Sequence, residues 1–225
     1  MSRNASGESF FHRYLDPADR LNEMLFGLIM VLSFTLTAGL TVEDGPDAVR
    51  TLLLATIGCN LAWGIIDGAM YLMASLLERS RLARAVAEVR AAPDEATAFA
   101  TIEKALDGTL TSLATDAERK TLYGMVRDVV IRTPAEPPRV HRDDVYGALA
   151  SGALVVLTTV PAALPFLVSD EPWRALRISN ALLIGMLFLV GYEWGRQAHV
   201  PPWRAGLAFL AAGVALVAVA IALGG

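Results

Sequence analysis

The chain has 225 residues, 54% of them hydrophobic, with a mean hydropathy of +0.46 and a formal net charge of −4. So small a charge, without basic residues interleaved with aromatics, excludes the usual footprint of a nucleic-acid-binding protein. The lone Cys59 excludes an intramolecular disulfide and a cysteine-built metal knuckle.

The apolar residues come in long blocks parted by charged ones, where a soluble domain would alternate more finely. A helix needs about 20 apolar residues to cross a bilayer. Met24–Val42 carries no charge, Leu52–Leu77 carries only Asp67, Val145–Val168 none, Ile178–Trp194 only Glu193, and Ala205–Leu223 none. Barrel strands would be about 10 residues long and alternating, so these blocks predict five transmembrane helices of an all-α integral membrane protein. Glu43-Asp44-Gly45-Pro46-Asp47, Ser169-Asp170-Glu171-Pro172 and the segment Gln197–Pro202 are the expected short connections. The first twenty residues are polar and no small-residue cleavage site follows the first block, so that block is expected to stay as a membrane anchor.

With the N-terminus in the cytoplasm, the inner flanks hold Arg13, Arg20, Arg79, Arg81, Arg84, Arg139, Arg142, Arg196 and Arg204. The outer flanks then hold only Arg50, Arg174 and Arg177. That bias predicts N-terminus inside and, with five spans, C-terminus outside. Heavy Ala and Arg usage points to a GC-rich bacterial genome, and so to a bacterial inner membrane.

The organisation expected is residues 1–77 with spans one and two, a cytoplasmic helical insert at 78–142, and residues 143–225 with spans three to five. In the insert, Leu82, Val86 and Val89 recur at helical spacing and are expected to continue span two. Pro93-Asp94-Glu95 is a helix start, followed by a stripe of Phe99, Ile102, Leu106 and Leu110. Thr115-Asp116-Ala117-Glu118 fits a capping box leading into Leu122, Met125, Val126, Val129 and Val130.

An ionisable group inside a membrane helix is a functional candidate by default. Asp67 lies 11 residues before Glu78, about 16 Å along the helix, which puts it near mid-membrane. Asn60, Gly64, Asp67 and Tyr71 share its face, and Met70 lies one turn on. A carboxylate beside an amide, a phenol and a thioether can hold a divalent cation or a proton. It can equally hydrogen-bond to a polar residue of a neighbouring helix and bind the bundle together. Glu193 stands three residues before Arg196, as a same-helix ion pair or an ion-entry group. Glu23, beside Asn22, stands where span one enters the membrane, as a helix-dipole partner or part of an acidic cytoplasmic vestibule. Gly64-Ile65-Ile66-Asp67-Gly68 and Gly191-Tyr192-Glu193-Trp194-Gly195 are small-xxx-small patterns, each bracketing an acid. Pro161 and Pro165 kink span three or free carbonyls to line a path. His12, His141 and His199 form no metal-ligand spacing, and no nucleophile–base pair, P-loop or dinucleotide fingerprint is present, so no enzyme and no bound cofactor are expected.

Phe26-Gly27 followed by Ala38-Gly39, the texture of Gly64 to Ser75 with Met70 and Tyr71, and the phrase Thr158-Thr159-Val160-Pro161-Ala162-Ala163-Leu164-Pro165-Phe166 resemble the vacuolar iron transporter family. The stretch Arg177-Ile178-Ser179-Asn180-Ala181 through Gly191-Tyr192 looks closer to a bacterial branch of it. Where that family carries an acid in its first helix, this chain has Leu28-Ile29-Met30. The resemblance implies export of Fe²⁺ or Mn²⁺ from the cytoplasm against protons by a homodimer. Asp67 and Met70 would be the second-helix polar site and Met30 would stand in for the missing acid. Glu23, Asn60 and Glu193 are the candidates for the ion or proton pathway. The alternative is a non-transporting membrane accessory protein whose insert binds a partner.

Overall fold

A computed structural model of the chain describes residues 9–39, 47–106, 113–134 and 137–222. The described residues are helical throughout, joined by short turns. The helices are α1 (Phe10–Tyr14), α2 (Pro17–Gly39), α3 (Ala48–Ala91), α4 (Glu95–Ala105), α5 (Asp116–Arg132), α6 (Arg142–Leu157), α7 (Thr159–Val168), α8 (Pro172–Gln197) and α9 (Pro202–Ala222). Four segments are long and apolar enough to cross a membrane: Pro17–Thr37, Ala48–Ala91, Arg142–Val168 and Pro172–Gln197. Pro202–Leu216 is a shorter apolar helix. The expected turn at 43–47, apart from Asp47, and Leu110 lie outside the described residues.

The chain separates into two compact units, one holding residues up to Tyr71 and from Arg142 on, the other Leu72–His141. The boundary expected at Glu78 falls inside α3, which runs unbroken for 44 residues. No proline or glycine interrupts it between Met70 and Ala91, so nothing in the backbone chemistry stops the helix where the apolar run ends.

In the first unit α3 and the α6–α7 segment run antiparallel. Leu52 clusters with Phe166, Asn60 bonds to Thr159, and Tyr71 packs on Gly147. Midway, the two backbones touch. A Cβ added to Gly64 would lie 2.7 Å from the Gly152 carbonyl oxygen, and one on Gly68 would lie 2.9 Å from that of Ala148. Only glycine permits that approach. On another side, α2 lays Leu28, Val31 and Leu32 against Ala162 of α7 and Leu183 and Leu187 of α8, all nearly inaccessible. Gly27 of α2 faces Thr158, the point at which α6 gives way to α7. Pro161 has no N–H to offer the Leu157 carbonyl, which accounts for the interruption there. The α8–α9 hairpin closes through Gly191, Gly195 and Gly206. His199 takes a left-handed conformation (φ 55), and the Val200 N–H reaches back to the Gly195 carbonyl at 3.1 Å. Much of the outward surface is apolar: on α3 alone, Leu54, Ile57, Leu61, Ile65, Met70 and Met73 are exposed.

The second unit is a small helical domain on the second half of α3. Val89, Ala98, Ile102 and Tyr123 are buried, with Phe99, Leu106, Val126 and Val130 packed around them. The expected α5 stripe is corrected in part. Leu122, Met125 and Val129 are exposed, and the inward face is Tyr123, Val126 and Val130. The wide ring of Tyr123 meets Phe99 at 5.7 Å between centroids and rotates the buried face toward itself. Both sequence-read helix starts are present. Asp94 accepts from the Thr97 N–H at 2.7 Å, and Thr115 with Glu118 forms the full capping box. Arg90 caps the other end of α5, donating to the carbonyls of Val130 and Thr133.

Two outcomes follow from these contacts. Gly152→Val should cost about 1–3 kcal/mol through forced separation of α3 and α6, while Gly185→Ala, with nothing within 4 Å of its added Cβ, should leave thermal unfolding in detergent unchanged or slightly raised. The caps add a pH dependence. The Thr97 backbone N–H holds the Asp94 carboxyl, and the Thr115 hydroxyl the Glu118 carboxyl, below their ordinary values. A carboxyl with the lower value in the folded state stabilises above its unfolded value and loses that contribution as pH falls. Helicity of the second unit should therefore be flat from pH 7 to about 5 and decline below about 4. Asp94→Asn with Glu118→Gln, followed by circular dichroism, should flatten that decline.

Candidate functional site

Several of the polar groups buried in the first unit lie along one seam between α3 and the α6–α7 segment. Asp67 lies on the α3 face that meets α6, where glycines on both sides remove the side chains that would hold the helices apart. The Ser151 hydroxyl of α6 donates to the Asp67 carboxylate. Glu23 of α2 lies beside this pair, close enough for its carboxyl to interact with both Asp67 and Ser151. Three helices thus each contribute one oxygen-bearing side chain. Glu23 and Asp67 are half-buried, and Ser151 is inaccessible.

Two carboxyl groups brought close together repel when both are charged, and a proton or a cation between them relieves that repulsion. The cluster gathers two carboxyl groups and one hydroxyl from three helices, an all-oxygen set. Oxygen sets of this kind suit hard divalent ions.

The seam continues on both sides. One turn beyond Asp67, Tyr71 packs on Gly147. In the other direction Asn60, 1% exposed, donates to the Thr159 hydroxyl and, at 3.4 Å, to the Val155 carbonyl. Thr56, also buried, follows one turn further and bonds its own Leu52 carbonyl. From Thr56 to Tyr71 the row spans about 22 Å of helix. A separate bond at 2.6 Å joins Thr35 of α2 to Asn180 of α8.

The N-terminal segment covers one flank. Leu15 is buried against Ala150 and Leu154, with Met24 and Tyr71 beside it. Ala150 adjoins Ser151 and Met24 adjoins Glu23 in sequence, so this apolar cover touches the immediate neighbours of the carboxyl cluster. Phe10 meets Tyr146 edge to face at 6.4 Å between ring centroids, and Tyr14 meets it tilted at 5.1 Å.

The sequence-read candidates divide as follows. Asp67 and Glu23 come together. Asn60 sits further along the same seam. Met70 is 61% exposed, one turn past Asp67, and Met30 is half-buried, two turns past Glu23. Glu193 pairs with Arg196 at 2.9 Å on the exposed end of α8. Among the described residues, no group of three or more His, Cys, Asp or Glu side chains comes together to hold a metal ion. Sequence reading missed Ser151 and the covering Leu15. A signal for the serine was present: Gly147-x-x-x-Ser151 and Ala148-x-x-x-Gly152 are small-residue pairs at matching depth in the facing helix.

No family model matches the chain, and no curated protein matches its sequence.

Asn60→Leu removes the seam's best-buried amide and strands the Thr159 hydroxyl. It should lower stability by about 1 kcal/mol, the scale of interhelical hydrogen bonds in membranes. Thermal unfolding in detergent against the native chain reads this directly.

Proposed function

We propose that the chain is an integral membrane protein of five transmembrane helices, N-terminus in the cytoplasm, that exchanges a divalent cation of the Fe²⁺ or Mn²⁺ class for protons. The observation that carries this reading is Glu23 close to the Asp67 carboxyl, to which Ser151 donates, among helices whose outer faces are apolar. Charged side chains among apolar helices are costly, and they persist where they bind or relay an ion.

In this reading the cation is the cargo. When the shared proton leaves, the pair holds two negative charges, which match a divalent ion. When the proton returns, one charge is neutralised and the ion is released. Ser151 orients the Asp67 carboxylate in both states, and Asn60 and Thr56 extend the polar row toward the far side. The outward α3 face, with Asp67 half-open beside it, is the surface on which a second copy would pair. The resemblance to vacuolar iron transporters supports the same substrate class. Glu23, a helix turn before the Phe26-Gly27 phrase, supplies the first-helix acid that Leu28-Ile29-Met30 lacks. Met70 and Met30 are the thioethers nearest in sequence, and they add softer ligands only if the cation moves along the helices.

The test is Mn²⁺ and Fe²⁺ flux into proteoliposomes under a pH gradient. Native protein should carry metal. Asp67→Asn and Glu23→Gln should each fall to the liposome background. Ser151→Ala, which removes one hydrogen bond to a charged group, should slow flux by about tenfold. Folded native protein that moves neither metal would sink the transport reading and leave an accessory role for the second unit.

A further inference from the structure

The second unit buries one face of α5 and leaves another apolar stripe of the same helix in the open. Tyr123, Val126 and Val130 turn into its core. Leu122, Met125 and Val129 are 41%, 61% and 54% exposed. Their spacing, three residues and then four, sets them in one row along the helix. Four residues before Leu122 and three after Val129, the same row carries Glu118 and Arg132, both exposed. The stripe therefore reads acid, Leu, Met, Val, base along about 21 Å of helix.

Reversed, that row reads base, Val, Met, Leu, acid, which is its own charge complement. A second copy laid antiparallel against it, with the two-fold axis at Met125, sets each Glu118 at the level of Arg132 of the other copy and brings Leu122 beside Val129. Such a contact is isologous, one surface meeting itself. A parallel pairing would set acid on acid and base on base. Glu118 gives one carboxylate oxygen to its cap, where it accepts from the Thr115 N–H and hydroxyl. Arg132 gives its Nε to the Asp128 carbonyl at 3.0 Å. The second carboxylate oxygen and the terminal guanidinium nitrogens are the groups that would meet across the pair. A bilayer surface fits the stripe less well, because helices that lie on membranes flank the apolar row with Lys and Arg. Here Lys120 and Arg127 stand on the opposite side of α5, and Thr121 and Asp128 border the stripe on its open side.

We infer that α5 is an interface between copies of this chain, pairing antiparallel with α5 of a second copy about Met125. Apolar rows rimmed by charge mark protein contacts. A helix pair this short is smaller than a stand-alone interface, about 1,200–2,000 Å², and suits chains already confined to one membrane. For that confinement the inference rests on the membrane reading. It depends neither on what the carboxyl pair carries nor on the outward α3 face of the first unit.

Cysteine crosslinking of the full chain in membranes tests the pairing. In a Cys59→Ser background, Met125→Cys puts one thiol of each copy at the two-fold axis, within disulfide reach. Oxidation with copper-phenanthroline should convert most of the chain to a covalent dimer. Leu122→Cys stands about 9 Å along the axis from its equivalent, and Lys120→Cys lies on the opposite face. Each should crosslink about tenfold less, being outside disulfide reach. Arg132→Glu turns both end pairs repulsive and should lower the Met125→Cys dimer about fivefold. Adding Glu118→Gln, which keeps the capping box, removes that repulsion and should recover most of the loss. Folded protein that gives no dimer at Met125→Cys would overturn the pairing, as would equal crosslinking at all three positions or a dimer that Arg132→Glu leaves unchanged. Leu122→Cys crosslinking as well as Met125→Cys would overturn the antiparallel arrangement. Protein recovered in the soluble fraction would sink the membrane reading instead.

Discussion

The structure depends on one contact, the approach of α3 to α6 at Gly64 and Gly152, where backbone meets backbone. Side chains of any size at those positions would hold the helices apart, and the polar groups one turn away would lose their partners. Because the approach is that close, Asp67 reaches Ser151, Gly68 rests on Ala148 and Tyr71 fits over Gly147. The rest of the first unit is arranged around this pair. Gly27 lets α2 lie against the α6–α7 junction, and Glu23, one turn before it, lies near the same carboxyl.

This arrangement puts packing and chemistry on the same residues. In an apolar medium the drive to bring helices together comes from close van der Waals contact and interhelical hydrogen bonds. The polar seam supplies the second, and the glycines make the first possible. Asp67 and Glu23 stay half-buried in this seam, with Leu15 packed on the neighbouring α6 residues Ala150 and Leu154. The hydrogen bond from Ser151 is an interhelical bond, and it also fixes the orientation of the Asp67 carboxylate.

The second unit follows different rules. Its helices are short and carry explicit caps, Asp94 for α4 and Thr115 with Glu118 for α5. Its core is small, and arginines of α3 bond the Val130 carbonyl at the end of α5 and the Arg139 carbonyl. Short helices with little core need their ends satisfied, which is why those ends were legible while the buried face of α5 was not. Leu122 and Met125 fit helical periodicity as well as Tyr123 does, and only the position of Phe99 across the gap selects the tyrosine.

By itself the sequence determined what local chemistry controls. That includes the apolar blocks and their helical length, the capped starts at Asp94 and Thr115, the end of α8 before Pro201-Pro202, and the shared face of Asn60, Gly64, Asp67 and Tyr71. Each follows from spacing along a single helix or from a backbone rule that acts within a few residues. The tertiary structure decided which helix that face meets, and so the partners of Asp67. Glu23 and Ser151 lie 44 residues before it and 84 after it, and no periodicity relates them. Their meeting is set by the glycine contacts that fix the depth and register of three helices at once. The exposure of Met70 and the burial of Leu15 were settled in the same way, by the relative rotation of packed helices.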